Sequence, residues 1–257
     1  MILYFSATGN SKRVAEVIAE ETGDKVGSIV DALKNGQTTI GLAPGERLGI
    51  VSPVYFWRLP SVTEEFLRRV SIRTQDEAEP YVYGVITFGT TTGRAGSDLR
   101  RLLRGRGICL DASFSVQMPD TWTPMFDLSD ADKVSGQVER GEQEAVAVAG
   151  KVLAWGRGRH VRRKIPVPAV LTDAVYDRMR RCDNLTARGD VCTGCGLCVR
   201  KCPCQAIKMQ DERPVWVKER CAMCLGCLHR CPVRAIRYGT GRATDRHGRY
   251  LNPHTRV

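Results

Sequence analysis

C-T-G-C-G-L-C-V-R-K-C-P, residues 192–203, and C-A-M-C-L-G-C-L-H-R-C-P, residues 221–232, are two copies of one pattern. Each reads C-x2-C-x2-C-x3-C-P, and the second copy begins 29 residues after the first. The register continues past the cysteines, because Pro203, Ala206 and Ile207 align with Pro232, Ala235 and Ile236. A fixed period of this kind marks internal duplication of one small unit. Zinc does not suit the pattern, since structural zinc takes four ligands in pairs rather than triplets followed by C-P.

Working outward, cysteine usage is lopsided: nine of the eleven cysteines lie within residues 192–231, and only Cys109 falls in the first 180 residues. The N-terminus opens on an apolar strand-like run without a basic n-region or an A-x-A site. No run of about 18 apolar residues exists, which excludes a membrane-spanning segment by hydropathy. Clustered cysteines in such a chain read as metal ligands rather than disulfides, and the expected compartment is the reducing cytoplasm. The 257 residues suffice for one large and one small domain.

The large domain comes first. An apolar run at residues 2–5 enters S-A-T-G-N-S, comprising Ser6, Ala7, Thr8, Gly9, Asn10 and Ser11, and a helical pattern follows with Val14, Val17 and Ile18 on one face and Gly23 as the stop. Hydroxyls and backbone N–H groups at a helix N-terminus make an anion site. Neither G-x4-G-K-[ST] nor G-x-G-x-x-G is present. Further strands are expected at residues 25–30, 48–52, 81–88 and 108–118. Helices are expected from a Ser61–Glu64 capping box to about residue 70, up to about Arg104, and over residues 138–155. Residues 31–47 carry little pattern. Five strands alternating with helices imply an α/β, doubly wound parallel sheet.

Two loops of this domain are unusual. Pro53, Val54, Tyr55, Phe56 and Trp57 place several apolar side chains between a strand and a helix, where exposure is costly without a partner. Thr87, Phe88, Gly89, Thr90, Thr91 and Gly93 form a glycine-bearing loop whose backbone can approach a ligand. Trp122 and Phe126 follow the fifth strand and are expected to cover a ligand or meet the second domain. After Trp155, Arg157, Arg159, Arg162, Arg163 and Lys164 form a basic run in a proline-marked linker, and a short helix is expected at about residues 171–181. A solvated, partner-facing hinge is favoured for the run over nucleic-acid contact.

F-S-A-T-G-N-S resembles the flavodoxin phosphate loop, with Ser11 in place of the usual final threonine, and the cysteine runs resemble bacterial two-cluster ferredoxins. Together they resemble the flavodoxin–ferredoxin fusion proteins (EFR1 type) of anaerobic bacteria and archaea. The resemblance implies a flavodoxin-like five-stranded sheet of order 2-1-3-4-5 over residues 1–158, a linker at 159–180, and a small α+β ferredoxin domain at 181–257. It also implies FMN held by the three loops named above, with Tyr55 and Trp57 as candidate ring walls; packing on the neighbouring helix is the alternative for each. Two [4Fe–4S] clusters are implied, and the fourth cysteine of each run crosses to the other cluster in the family. One cluster then takes Cys192, Cys195, Cys198 and Cys231, and the other Cys221, Cys224, Cys227 and Cys202.

Gly194, Gly196 and Gly226 would let backbone N–H groups approach cluster sulfurs. Cys204 aligns with Val233 and is read as packing, as are Cys182 and Cys109; His229 is read as an outer-shell or surface residue. Clusters and a flavin phosphate reduce the formal charge of +11 to about +5, which suits an acidic protein partner or a nucleic acid and discriminates poorly between them. Basic residues near the clusters should raise their potential relative to an acidic homologue. The expected function is single-electron transfer between the clusters and FMN for a partner oxidoreductase. Two alternatives remain: a flavin-dependent reductase, with Arg58 and Arg94 as candidate anion holders, and a nucleic-acid-binding iron–sulfur protein.

Overall fold

In the computed structural model, which describes residues 1–74, 79–162 and 168–257, a parallel sheet organises the first half. Its strands are β1 (Ile2–Tyr4), β2 (Val26–Ser28), β4 (Arg47–Pro53), β6 (Tyr81–Phe88), β7 (Ala112–Gln117) and β8 (Gly158–His160), in the order β2-β1-β4-β6-β7-β8. The first five keep the expected 2-1-3-4-5 order. The sixth, β8, lies in the basic run read as linker, and it pairs Ala112 with Gly158 and Phe114 with His160, whose rings also stack at 5.2 Å. A separate parallel pair, β3 (Thr39–Leu42) with β5 (Ser71–Thr74), occupies part of the stretch that carried little pattern. Arg163 and Lys164 lie outside the described residues.

Helices cover both faces of the sheet: α1 (Asn10–Thr22) and α5 (Ala131–Leu153) on one, α2 (Ile29–Lys34), α3 (Ser61–Arg69) and α4 (Ala95–Arg104) on the other. Two cores result. One gathers Leu48, Ile50, Phe66 and Leu99, the other Val14, Val51, Phe114 and Ala149. α5 begins seven residues earlier than its pattern suggests, capped by the Asp130 side chain accepting from the Lys133 N–H. Gly141 is a contact point within it, because a Cβ there would meet the Met118 sulfur at 2.2 Å. The expected Ser61–Glu64 capping box does not form. Pro60 holds the N-cap position without a side-chain cap, and Glu64 pairs with Arg58 at 2.6 Å, a charged partner stronger than a backbone N–H.

The second half is built from short elements: α6 (Ala169–Met179), β9 (Leu185–Ala187), α7 (Leu197–Arg200), β10 (Ile207–Gln210), β11 (Arg213–Trp216), α8 (Gly226–Arg230), β12 (Ile236–Tyr238) and α9 (Arg242–Arg246). β10–β11 and β9–β12 are antiparallel pairs around a core that includes Cys202, Cys221, Leu228 and Ile236. Cys182 is buried here and Cys204 half-buried, but Cys109 is exposed, contrary to the packing role expected of it. No helix among the described residues is long and apolar enough to cross a membrane.

The sheet core carries one uncompensated group. Tyr83 is fully buried and its hydroxyl has no hydrogen-bond partner, lying 2.6 Å from where a Gly49 Cβ would sit. An enclosed, unpaired hydroxyl costs about 1–3 kcal/mol. Tyr83→Phe is expected to stabilise the chain by about 1 kcal/mol, raising the unfolding midpoint by about 2–4 °C in calorimetry. A lowered midpoint would show the hydroxyl to be engaged.

Candidate functional site

The carboxyl ends of β1, β4, β6 and β7 open into one cavity of about 450 Å³, within the range of pockets that take compact organic ligands. The phosphate-loop positions Ser6, Ala7, Thr8, Asn10 and Ser11 line it, together with all five residues of the loop after β4 and residues 87–91 after β6. Gly9 and Gly93 lie behind the walls. A Cβ on Gly93 would meet the Trp57 carbonyl at 2.3 Å, so this glycine lets the two loops touch, fastened by the Arg94 N–H donating to the same carbonyl. α1 begins at the cavity with no side-chain cap and no acidic residue in its first turn. Its free N–H groups and positive dipole end suit a phosphate. Behind it, Ser11 Oγ and Thr87 Oγ1 share a 2.7 Å hydrogen bond, joining the first and third loops.

Phe56 and Trp57 adopt left-handed backbone, φ 49° and 65°, a strained conformation for aromatic residues and one concentrated at ligand-binding sites. Phe56 meets Trp122 edge-on at 5.0 Å and stacks on Tyr176 at 5.9 Å, while Trp122 meets Tyr238 at 5.1 Å. Trp122 and Phe126 both line the cavity, and Trp122 also touches the second half through Tyr238.

Several wall residues carry no signal in the sequence for this cavity. Val175 and Met179 of α6 and Met223, Cys224 and Leu225 of the second cysteine run close the cavity from the other half of the chain. Asp120 is another. Its Oδ1 accepts from the Trp122 N–H at 3.2 Å and its Oδ2 from the Thr90 hydroxyl at 3.1 Å, and burial raises its carboxyl above the usual range. The site residues read from the sequence are local loops. These additional ones arrive from elsewhere in the fold.

The cysteines assemble in two groups. Cys192, Cys195, Cys198 and Cys231 surround one small enclosed space, and Cys202, Cys221, Cys224 and Cys227 surround another, which Cys204 also lines. No three His, Cys, Asp or Glu among the described residues are placed to hold a single ion. A cubane, by contrast, spreads four thiolates over its corners, and a set of four cysteines per space fits it. Backbone N–H groups already point at the sulfurs: Ala206 at Cys202, Met223 at Cys221 and Ala235 at Cys231, at 3.1–3.3 Å. Such bonds favour the more negative, reduced cluster. Burial pushes the Cys224 thiol up to about 12, while the hydrogen bond with Cys182 and burial push Cys221 up. Without a metal these thiols hold their protons, so ligation supplies the energy to ionise them.

His229 lies in the seam between the halves. It is buried, its Nε2 donates to the Thr121 carbonyl at 2.9 Å, and its Nδ1 accepts from the Tyr250 N–H at 3.1 Å. Burial lowers its pKa to about 4, keeping the ring neutral. The C-terminal segment continues over the phosphate loop. Tyr250 Oη donates to Asn10 Oδ1 at 2.5 Å, and the Asn252 N–H donates to the Thr8 carbonyl at 2.7 Å.

With this geometry in place, the comparisons with known proteins define the class first. A flavodoxin domain matches residues 1–142 and a 4Fe-4S dicluster domain residues 184–232, so this is a redox electron-transfer protein that combines the two. The chain belongs to the flavodoxin domain family, fused to a ferredoxin-type domain; FMN and iron–sulfur clusters are its cofactors. Similar solved structures include a flavodoxin from the domain Archaea (17% identity, 59% of this chain, 96% of that one, TM-score 0.32). A Streptococcus pneumonia flavodoxin (17%, 58%, 97%, 0.33) and flavodoxin 2 from Bacillus cereus (19%, 58%, 97%, 0.34) also match. No curated protein matches the chain.

Proposed function

We propose that the chain passes single electrons between two [4Fe–4S] clusters and an FMN, serving a partner oxidoreductase of anaerobic-type metabolism, in the manner of an EFR1-type fusion. The domain arrangement proposed is 1–158 for the flavin half, 159–180 for the connection and 181–257 for the cluster half. The observation that carries this reading is a shared wall: Cys224 lines both the large cavity and the second cysteine space. FMN, when bound, exchanges two electrons in single steps, and each cluster carries one.

The proposed holders of FMN are Ser6–Ser11 for the phosphate and the loops at 53–57 and 87–93 for the ring system. The two cysteine groups differ in access. Cys195 is exposed, whereas Cys202 and Cys221 are buried, so the Cys192 group is the proposed port and the Cys221 group the inner station. Exposed Arg200 and Arg234 lie within three residues of the port ligands Cys198 and Cys231, a surface suited to an acidic partner.

The reductase alternative loses its candidate anion holders. Arg58 pairs with Glu64 and Asp173, and Arg94 pairs with Asp173 and Asp98, so their charges fasten α6 to the flavin half. The basic run is also partly neutralised, Arg157 by Asp111 and Arg162 by Glu144. Acid-released flavin and iron counted per chain test the proposal. One flavin to about eight iron is expected. Flavin near zero removes the converter, and iron near one removes the clusters.

A further inference from the structure

Arg230 sits where the two halves meet. It closes α8 between the ligands Cys227 and Cys231, and the groups facing it are Cys224, Tyr55 and Cys227. Its Nη1 lies 2.6 Å from where a Gly226 Cβ would be, and the carbonyl of Ala7, in the phosphate loop, lies 3.5 Å from the same point. Glycine at 226 is thus what admits the guanidinium beside the loop. Among the described residues no carboxylate pairs with Arg230, and its enclosed Nε has no hydrogen-bond partner.

Burying an unpaired charge costs several kcal/mol unless an opposite charge compensates it. Cluster ligands supply that charge here. A [4Fe–4S] core held by four thiolates is a dianion and gains one further negative charge on reduction. The internal repeat provides a control. With the 29-residue offset, Arg230 aligns with Lys201, so each run carries a cation immediately before its fourth cysteine, Lys201 before Cys202 of the inner group and Arg230 before Cys231 of the port group. Lys201 is exposed to water, which screens its field, whereas Arg230 is half-buried in the seam with its Nε enclosed, where a charge acts more strongly.

We propose that Arg230 is a positioning residue for charge: its half-buried guanidinium holds the inner cluster, the one taking Cys202, Cys221, Cys224 and Cys227, at a higher reduction potential than the port cluster. This rests on the two-cluster reading above. The same protein-derived asymmetry gives the relay a direction of preference, because an electron arriving at the port cluster is then drawn inward towards the flavin cavity.

The test is a redox titration of the holoprotein followed by EPR of the reduced clusters, on wild type, Arg230→Gln and Arg230→Lys. In Arg230→Gln one of the two waves is expected to shift to more negative potential by about tenfold in its equilibrium constant, about 59 mV for one electron. The other wave stays, and Arg230→Lys, which retains the charge, stays near wild type. If Arg230→Gln fails to load iron while Arg230→Lys loads fully, the charge requirement is also supported. Wild-type potentials in Arg230→Gln, an equal drop in Arg230→Lys, or failure of both variants to load iron overturns the proposal, since shape rather than charge would then be what the position needs. Iron counts on wild type separate the claims: fewer than two clusters sinks the underlying reading, whatever the variants show.

Discussion

Cys224→Ala is expected to lose about half the iron while the bound flavin stays. Cys224 faces both the second cysteine space and the large cavity, so its removal strips the station nearest the flavin and leaves the phosphate loop untouched. The flavin half has its own two cores, neither of which depends on a cluster for the bulk of its packing. The cluster half is small, and its ligands contribute much of its folding energy, so its unfolding midpoint should fall well below wild type. Cys195→Ala is the matched control. It removes the exposed port ligand and about half the iron as well, but the inner station remains. Reduction of the flavin from the iron–sulfur side should therefore fail in Cys224→Ala even with a strong donor, whereas a small-molecule donor able to reach the inner station still serves Cys195→Ala. Iron analysis and anaerobic stopped-flow absorption check both statements.

Gly9→Val should be the most damaging single change in the flavin half. Gly9 holds φ 103°, where a side chain is strained, and a Cβ there would lie 2.6 Å from the Cβ of Asn252. Strain and overpacking together cost about 2–4 kcal/mol. The damage falls on the turn that donates the Gly9 N–H to Ser6 Oγ and presents the start of α1 to a phosphate. Flavin affinity is expected to drop by at least about tenfold, since each 1.4 kcal/mol lost from the bound state is a factor of ten. Pairing the change with Asn252→Gly removes the collision but not the backbone strain. That double variant should recover part of the affinity, and calorimetric titration of the apoprotein with FMN measures how much. Recovery to wild type would mean that the left-handed backbone costs nothing there.

The sequence discloses most where chemistry is local. The cysteine pattern repeats with a period, and Ser6–Ser11 lies between an apolar run and a helical face, so both can be read without knowing what lies beside them. The alternation of strands and helices implied the parallel sheet, and the flavodoxin resemblance its strand order. β8 could not be read, because Gly-Arg-His has no apolar alternation. The capping box at Ser61 failed for a related reason: Glu64 had a choice of partners, and Arg58, six residues away, won it.

The least legible residues are those whose role comes from the seam. His229 reaches Thr121 across 108 positions, and Tyr250 reaches Asn10 across 240. Arg230 reads in the sequence as one more basic residue of a basic domain; only enclosure distinguishes it from Lys201. The C-terminal segment carries no motif, yet its backbone closes on Thr8 and its Asn252 explains why position 9 must be glycine. The fold therefore makes one unit of two recognisable halves through residues that neither half would reveal by itself.

The central claim is that electrons reach the flavin cavity through the cysteine half. Flash photoreduction of the anaerobic holoprotein by a bulky, negatively charged one-electron donor, followed at cluster and flavin wavelengths, tests it most directly. Cluster bleaching should appear first, and flavin reduction should follow at a rate independent of donor concentration, because the second step is internal. Flavin reduction that begins without prior cluster bleaching and rises in proportion to donor concentration would contradict the account.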